Sequence, residues 1–234
     1  MIQPRRRAAH PRSEGSTGRL QALADGVFAV AITLLALNLP TGLRSGAPVS
    51  AILRESLPHL LLYFISMLAL GALWFGHRNA FEYIRRTDHL HTWLSLAMLA
   101  FVPLVPWTVS LLARHVTDPL AVTAYNANLV MLTGLDAATW WYATKRGGLA
   151  GSLPGGLTQV SRELTLVPPC GFLLAIGLAW LSTWASLAVD VALPLLPITG
   201  ASYHLQYRLS RSSKHLVNHS DSPDAEQTSP RSAR

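Results

Sequence analysis

The chain has 234 residues; half are hydrophobic and only 13% are charged. A soluble domain of this size carries about a quarter charged residues, so the composition excludes an ordinary soluble globule and points to an integral membrane protein. The formal net charge of +7 does not call for nucleic acid, because the basic residues lie between and beyond the apolar blocks, and the single cysteine, Cys170, excludes an intrachain disulfide and any CxxC motif.

Residues 1–17 are basic and rich in Ser, Pro and Gly, and read as a disordered tail. Six apolar blocks fill residues 18–209. The first runs from about Arg19 to Leu39, too long for a signal-peptide core and followed by no A-x-A-like site, so it is expected to stay as a mature helix. The others cover about Ala51 to Ile84, Leu90 to Ala113, Leu120 to Ala143, Leu164 to Leu181, and Ala185 to Tyr207, the last with Pro194 and Pro197 inside. Each reaches or approaches the roughly 20 residues that a bilayer crossing needs. The short "STWAS" between the last two blocks predicts an antiparallel hairpin, and "KRGGLAGSLPGG", residues 145 to 156, predicts a glycine-rich loop. Cys170, behind Pro168 and Pro169, is expected to be a small buried hydrophobe. Residues 210–234 read as a second disordered tail.

The predicted fold is therefore all-α: a polytopic membrane protein with six transmembrane helices. With six crossings, sixteen Lys and Arg fall on the side of the two termini, and only Arg44, Arg54 and Arg114 fall opposite. That asymmetry predicts cytoplasmic N- and C-termini for a multi-pass protein of the plasma membrane.

The first block, "GRLQALADGVFAVAITLLALNLP", carries polar residues inside a membrane helix. At 100° per residue, Gly26, Val30, Thr33 and Leu37 fall within about 60° of one another, while Asp25 shares a second stripe with Phe28, Ile32 and Ala36, about 140° from Val30. Thr33 is expected either to bond back to the Ala29 carbonyl or to lie on a pore or helix-contact face. An ionised Asp25 near hydrocarbon needs a partner. Arg19 is six residues away, an awkward spacing for a direct pair on one helix. A bond to His77 or Arg78 of the second block is easier, and favours structural anchoring over a proton relay.

In the same stretch, "RLQALADGVFAVAITLLALNL" resembles the first-helix signature of the TMEM175 family of potassium channels, R-x-x-x-F-S-D-G-V-F-A-I-A-x-T-L-L, with Arg19, Asp25 to Ala29, Ala31 and Thr33 to Leu35 in register. "WFGHRNAF", Trp74 to Phe81, resembles the family's W-x-x-H-H-x-x-F; "PLVPWTVSLL", residues 103 to 112, resembles its P-F-x-T-x-L-L, and "AVTAYNANL" its fourth-helix opening. The resemblance implies four copies of a six-helix chain, a homotetramer, with the first helix of each lining the pore and no T-V-G-Y-G filter. It implies Val30, Thr33 and Leu37 as the pore and selectivity stripe, and Arg19, Asp25, Trp74 and His77 as a structural polar network bracing the first helix. Leu23 and Ala24 stand where the family has Phe-Ser, Arg78 replaces the second histidine, Val30 replaces a larger Ile or Leu, and Asn38 replaces an acid common in the family.

The function expected is a passive, potassium-preferring cation channel with a hydrophobic constriction, wetting and radius setting its barrier and Thr33 hydroxyls replacing part of an ion's hydration shell. Its partners are K⁺ ions and the lipid bilayer, not nucleic acid; no cofactor, no metal site and no enzymatic step are expected. The alternative is a proton- or ion-coupled transporter using Asp25, His77 and Asp136, although no paired broken helices mark an inverted repeat. An enzyme is a weaker reading: the nine histidines form no HExxH cluster, and the "HLH" at 89–91 reads as solvated interfacial side chains.

Overall fold

A computed structural model describes residues 12–37, 39, 48–145, 149–150 and 155–195. Among these, seven helices follow one another: α1 (Arg12–Ala36), α2 (Val49–Tyr83), α3 (His89–Phe101), α4 (Leu104–Arg114), α5 (Pro119–Lys145), α6 (Gly155–Ala179) and α7 (Thr183–Leu195). The fold class is all-α, as the apolar blocks predict. The one pairing outside helices among the described residues is an isolated bridge between Ile84 and Ala150. Thr17–Ala36, Val49–Tyr83, His89–Arg114 and Ser161–Ala179 are each long and apolar enough to cross a membrane.

The third block is one span in two pieces. Pro103 has no N–H to give to a carbonyl one turn back, and Val105 N instead bonds Val102 O at 3.2 Å in the tighter i→i−3 pattern, so the helix breaks between α3 and α4. The fourth block, α5, is 27 residues long, or about 40 Å at 1.5 Å per residue. It is the most enclosed helix: Asn126, Asn128, Thr133 and Thr139 are all buried along it. Thr133 and Thr139 return their hydroxyl hydrogens to the carbonyls of Leu129 and Leu135, at 2.7 and 2.8 Å.

Helices α6 and α7 form the antiparallel hairpin expected around "STWAS". Their close approach depends on Gly171, where an added Cβ would lie 2.6 Å from Leu193 Cδ2. The core gathers Phe28, Leu35, Leu70, Met98, Val105 and Leu132 from α1 to α5, and α1 packs mainly on α2, then on α4 and α3.

Several expectations change. Helix α1 begins at Arg12, inside the stretch read as a tail, and α6 begins at Gly155, well before Leu164. Cys170 is exposed rather than buried; on a helix facing lipid an apolar neighbourhood in sequence does not mean an interior position. In "HLH", His89 is exposed, but His91 is completely buried, its backbone N–H capped by Asp88 Oδ1 at 2.9 Å. Asn38, residues 1–11, most of the glycine-rich loop, residues 196–209 of the last block and the tail 210–234 lie outside the described residues.

Candidate functional site

Helix α1 has two unlike faces. Leu20, Ala24, Phe28, Ala31 and Leu35, spaced by three and four residues, are buried in the subunit. On the other side Gly26, Val30, Thr33 and Leu37 are all exposed, Val30 at 57% and Leu37 at 75%. The stripe expected from helical geometry is thus exposed on the chain. Thr33 Oγ1 donates to Val30 O at 2.8 Å, an i→i−3 bond rather than the expected i→i−4 bond to Ala29. With its hydrogen given to the helix, the Thr33 oxygen keeps both lone pairs as acceptors.

The second stripe meets α2 through two contacts. Trp74 Nε1 donates to Asp25 Oδ1 at 2.7 Å. One turn on, the buried His77 ring meets the Phe28 ring, centroids 6.2 Å apart. Residues 25 and 28 on α1, and 74 and 77 on α2, each stand three apart, so the two pairs share the facing sides of both helices. Asp25 therefore has Trp74 as its partner, not His77 or Arg78. Arg78 serves the same point indirectly, its guanidinium carbon 5.6 Å from the centroid of the Trp74 ring. Arg19 is exposed, and among the described residues it has no bond to Asp25.

His77 turns its polar edge elsewhere. Its Nδ1 lies 2.7 Å from Asp136 Oδ1 of α5. Phe81 lies beside it at 4.8 Å between centroids, and His91 packs edge-on to Phe81 at 5.7 Å. Of the residues singled out for a transporter, Asp136 and His77 come together, and Asp25 stands apart on its own partner.

Sequence reasoning passed over a second polar cluster. Asp190 of α7 is buried against Asn126 of α5 at 3.2 Å, with Ser186 at 3.5 Å from the same amide nitrogen, and Ser66 Oγ of α2 lies 3.3 Å from the buried Tyr125 hydroxyl. The signal that could have found it is the single acid in "SLAVDVALPLLP", since an ionisable residue inside a span is a candidate by default.

The model for the family described as the endosomal/lysosomal potassium channel TMEM175 matches residues 19–106, which contain most of α1, both α2 contacts and the helix break at Pro103. A potassium channel of Streptomyces collinus is 30% identical over 185 residues, spanning 76% of this chain and 90% of that relative. A potassium channel of Chamaesiphon minutus is 25% identical over 190 residues, 78% of this chain and 93% of that one. The crystal structure of a lysosomal potassium-selective channel TMEM175 homolog from Chamaesiphon minutus matches with a TM-score of 0.67 at 26% identity, covering 77% of this chain and 95% of that chain.

Proposed function

The chain belongs to the TMEM175 family, and from that premise we propose that it is a passive potassium channel of the plasma membrane, working as a homotetramer with α1 of each subunit lining the pore. The observation that carries this reading is the division of α1: one face is packed into the subunit, and the face bearing Val30, Thr33 and Leu37 is left open. Four such faces around an axis enclose a path; one subunit alone cannot.

In this reading Val30 and Leu37 form apolar rings that pass ions only when wet, and the Thr33 oxygens between them replace part of the hydration shell. Asp25, Trp74, Arg78 and His77 act behind the pore, fixing how far α1 can lean or turn. The channel domain is residues 18–209, with α1 prolonged back to Arg12, and both termini lie on the cytoplasmic side, where the basic residues gather. No cofactor enters the mechanism, and ion passage is downhill.

A second reading, a proton-coupled transporter, has one observation in its favour: the His77–Asp136 pair at 2.7 Å, with His77 Nε2 buried and unpartnered. Purified protein in liposomes loaded with K⁺ separates the two. Rapid electrogenic K⁺ efflux with no second gradient is the expected result. Flux that needs an imposed proton gradient would favour the transporter, and no flux under either condition would end the channel reading.

A further inference from the structure

Away from the α1–α2 contacts, the packing of α5, α6 and α7 encloses a carboxyl group with no cation beside it. Asp190 is 1% exposed. Its Oδ2 accepts from Asn126 Nδ2 at 3.2 Å; the same nitrogen lies 3.1 Å from Val122 O and 3.5 Å from Ser186 Oγ. Ser186 gives its hydrogen to Ala175 O at 2.8 Å, so it has none for Asp190. Asp190 Oδ1 and Asn126 Oδ1 are both buried with no hydrogen-bond partner. Among the described residues the one ion pair is His77 with Asp136, and no basic side chain reaches Asp190.

The helices packed on α7 offer little else that could carry charge. From α5 comes the Tyr125 phenol, and Asp136 is ten residues beyond Asn126 on its own partner. On α2 the titratable residues nearest Ser66 are the Tyr63 phenol, three residues away, and His59, seven residues or about 10 Å along the helix. On α6 it is the exposed Cys170, and no charged side chain lies between Glu163 and Ala179. Helix α7 has no other titratable group.

An ionised Asp190 would exchange water for one amide hydrogen bond, and the cost of an unpaired buried charge exceeds what one neutral donor returns. With no basic side chain beside it among the described residues, a metal cation or a proton is left to neutralise it. A metal cation asks for a shell of about six oxygens; the cluster has two unpartnered ones. A proton asks for one.

We propose that Asp190 is a proton-binding site, a carboxylic acid held neutral inside the subunit with its proton on Oδ1, separate from the face of α1 that bears Val30, Thr33 and Leu37.

The test is infrared spectroscopy of the purified protein in lipid at neutral pH. A protonated-carboxyl C=O band is expected, shifted by ¹³C-aspartate labelling, lost in Asp190→Asn and kept in Asp25→Asn and Asp136→Asn. No band in the wild type, or a band that survives in Asp190→Asn, overturns the proposal. Should Asp190→Asn not fold, the labelled Asp25→Asn/Asp136→Asn double variant decides: persistence of the band supports the proposal and its absence overturns it.

Discussion

The Trp74–Asp25 bond tests whether the carboxylate in α1 is structural. At 2.7 Å it is short and charge-assisted, a class that contributes about 1.5–3 kcal/mol against about 1 for a neutral bond. Asp25 is exposed, which places the expectation near the low end, about 1.5 kcal/mol. Trp74→Phe removes the donor but keeps a ring beneath Arg78; Asp25→Ala removes the acceptor and its charge. A double-mutant cycle strips out the lost ring area, which is common to both backgrounds. The coupling expected is about 1–1.5 kcal/mol, close to a tenfold change in the unfolding equilibrium, measured by chemical unfolding in mixed micelles. K⁺ over Na⁺ preference in liposomes should stay at the wild-type value in every variant that folds. Purely additive effects would show that the bond adds nothing to stability. A normally stable Asp25→Ala protein with changed ion preference would place Asp25 in the conduction path instead.

Phe28→Ala should cost about 3–5 kcal/mol, the range for deleting a buried aromatic ring, and should be more damaging than Trp74→Phe in the same unfolding assay. After Cys170, which is itself exposed, is replaced, cysteines at positions 33 and 37 should react with thiol reagents in a conducting protein, and one at the half-buried position 32 should not; equal labelling at all three would dissolve the stripe. Gly171→Val drives its side chain into Leu193 and should cost about 1–3 kcal/mol, with Leu193→Ala recovering part of the loss; no rescue would put the strain elsewhere. Val30→Asn should wet the constriction, raise conductance and blur K⁺ against Na⁺, while Val30→Phe should narrow it and lower flux; if both conduct like the parent, Leu37 becomes the candidate for the narrowest layer.

The helical segments were legible because each comes from an apolar run whose length alone decides it. The open stripe of α1 was legible too, since the angles of Gly26, Val30, Thr33 and Leu37 depend on nothing but the helical period. What could not be read from order alone was which apolar face meets protein and which meets lipid. Both environments accept the same side chains, so Cys170 on an outward face and His91 on an inward one look alike in sequence. Partners across helices were hidden for a related reason. Asp25 and Trp74 are 49 residues apart, and Asn126 and Asp190 are 64. Nothing local marks Trp74 rather than His77 as the partner of Asp25. Thr33 shows the limit at the smallest scale: the choice between the carbonyls of Ala29 and Val30 is a side-chain rotamer choice, and spacing permits both.

The departures from the family signature bear on how α1 is held. Ala24, standing where the family has serine, is buried at 1%, so a hydroxyl there would need a partner inside the subunit, and the methyl group needs none. The polar contact is carried instead by Asp25 and Trp74, and Arg78, replacing the family's second histidine, lies over that indole. A cation near the acceptor's partner draws the carboxylate toward α2 without entering the core. One turn along, Phe28 against His77 adds an apolar contact to the polar one, and the His77 ring is itself fixed by Asp136 of α5. Helix α1 is thereby tied through α2 to α5, the most enclosed helix of the subunit. In the proposed channel this matters at Val30: an apolar ring discriminates by radius, and a radius is defined only if the helix behind it cannot move.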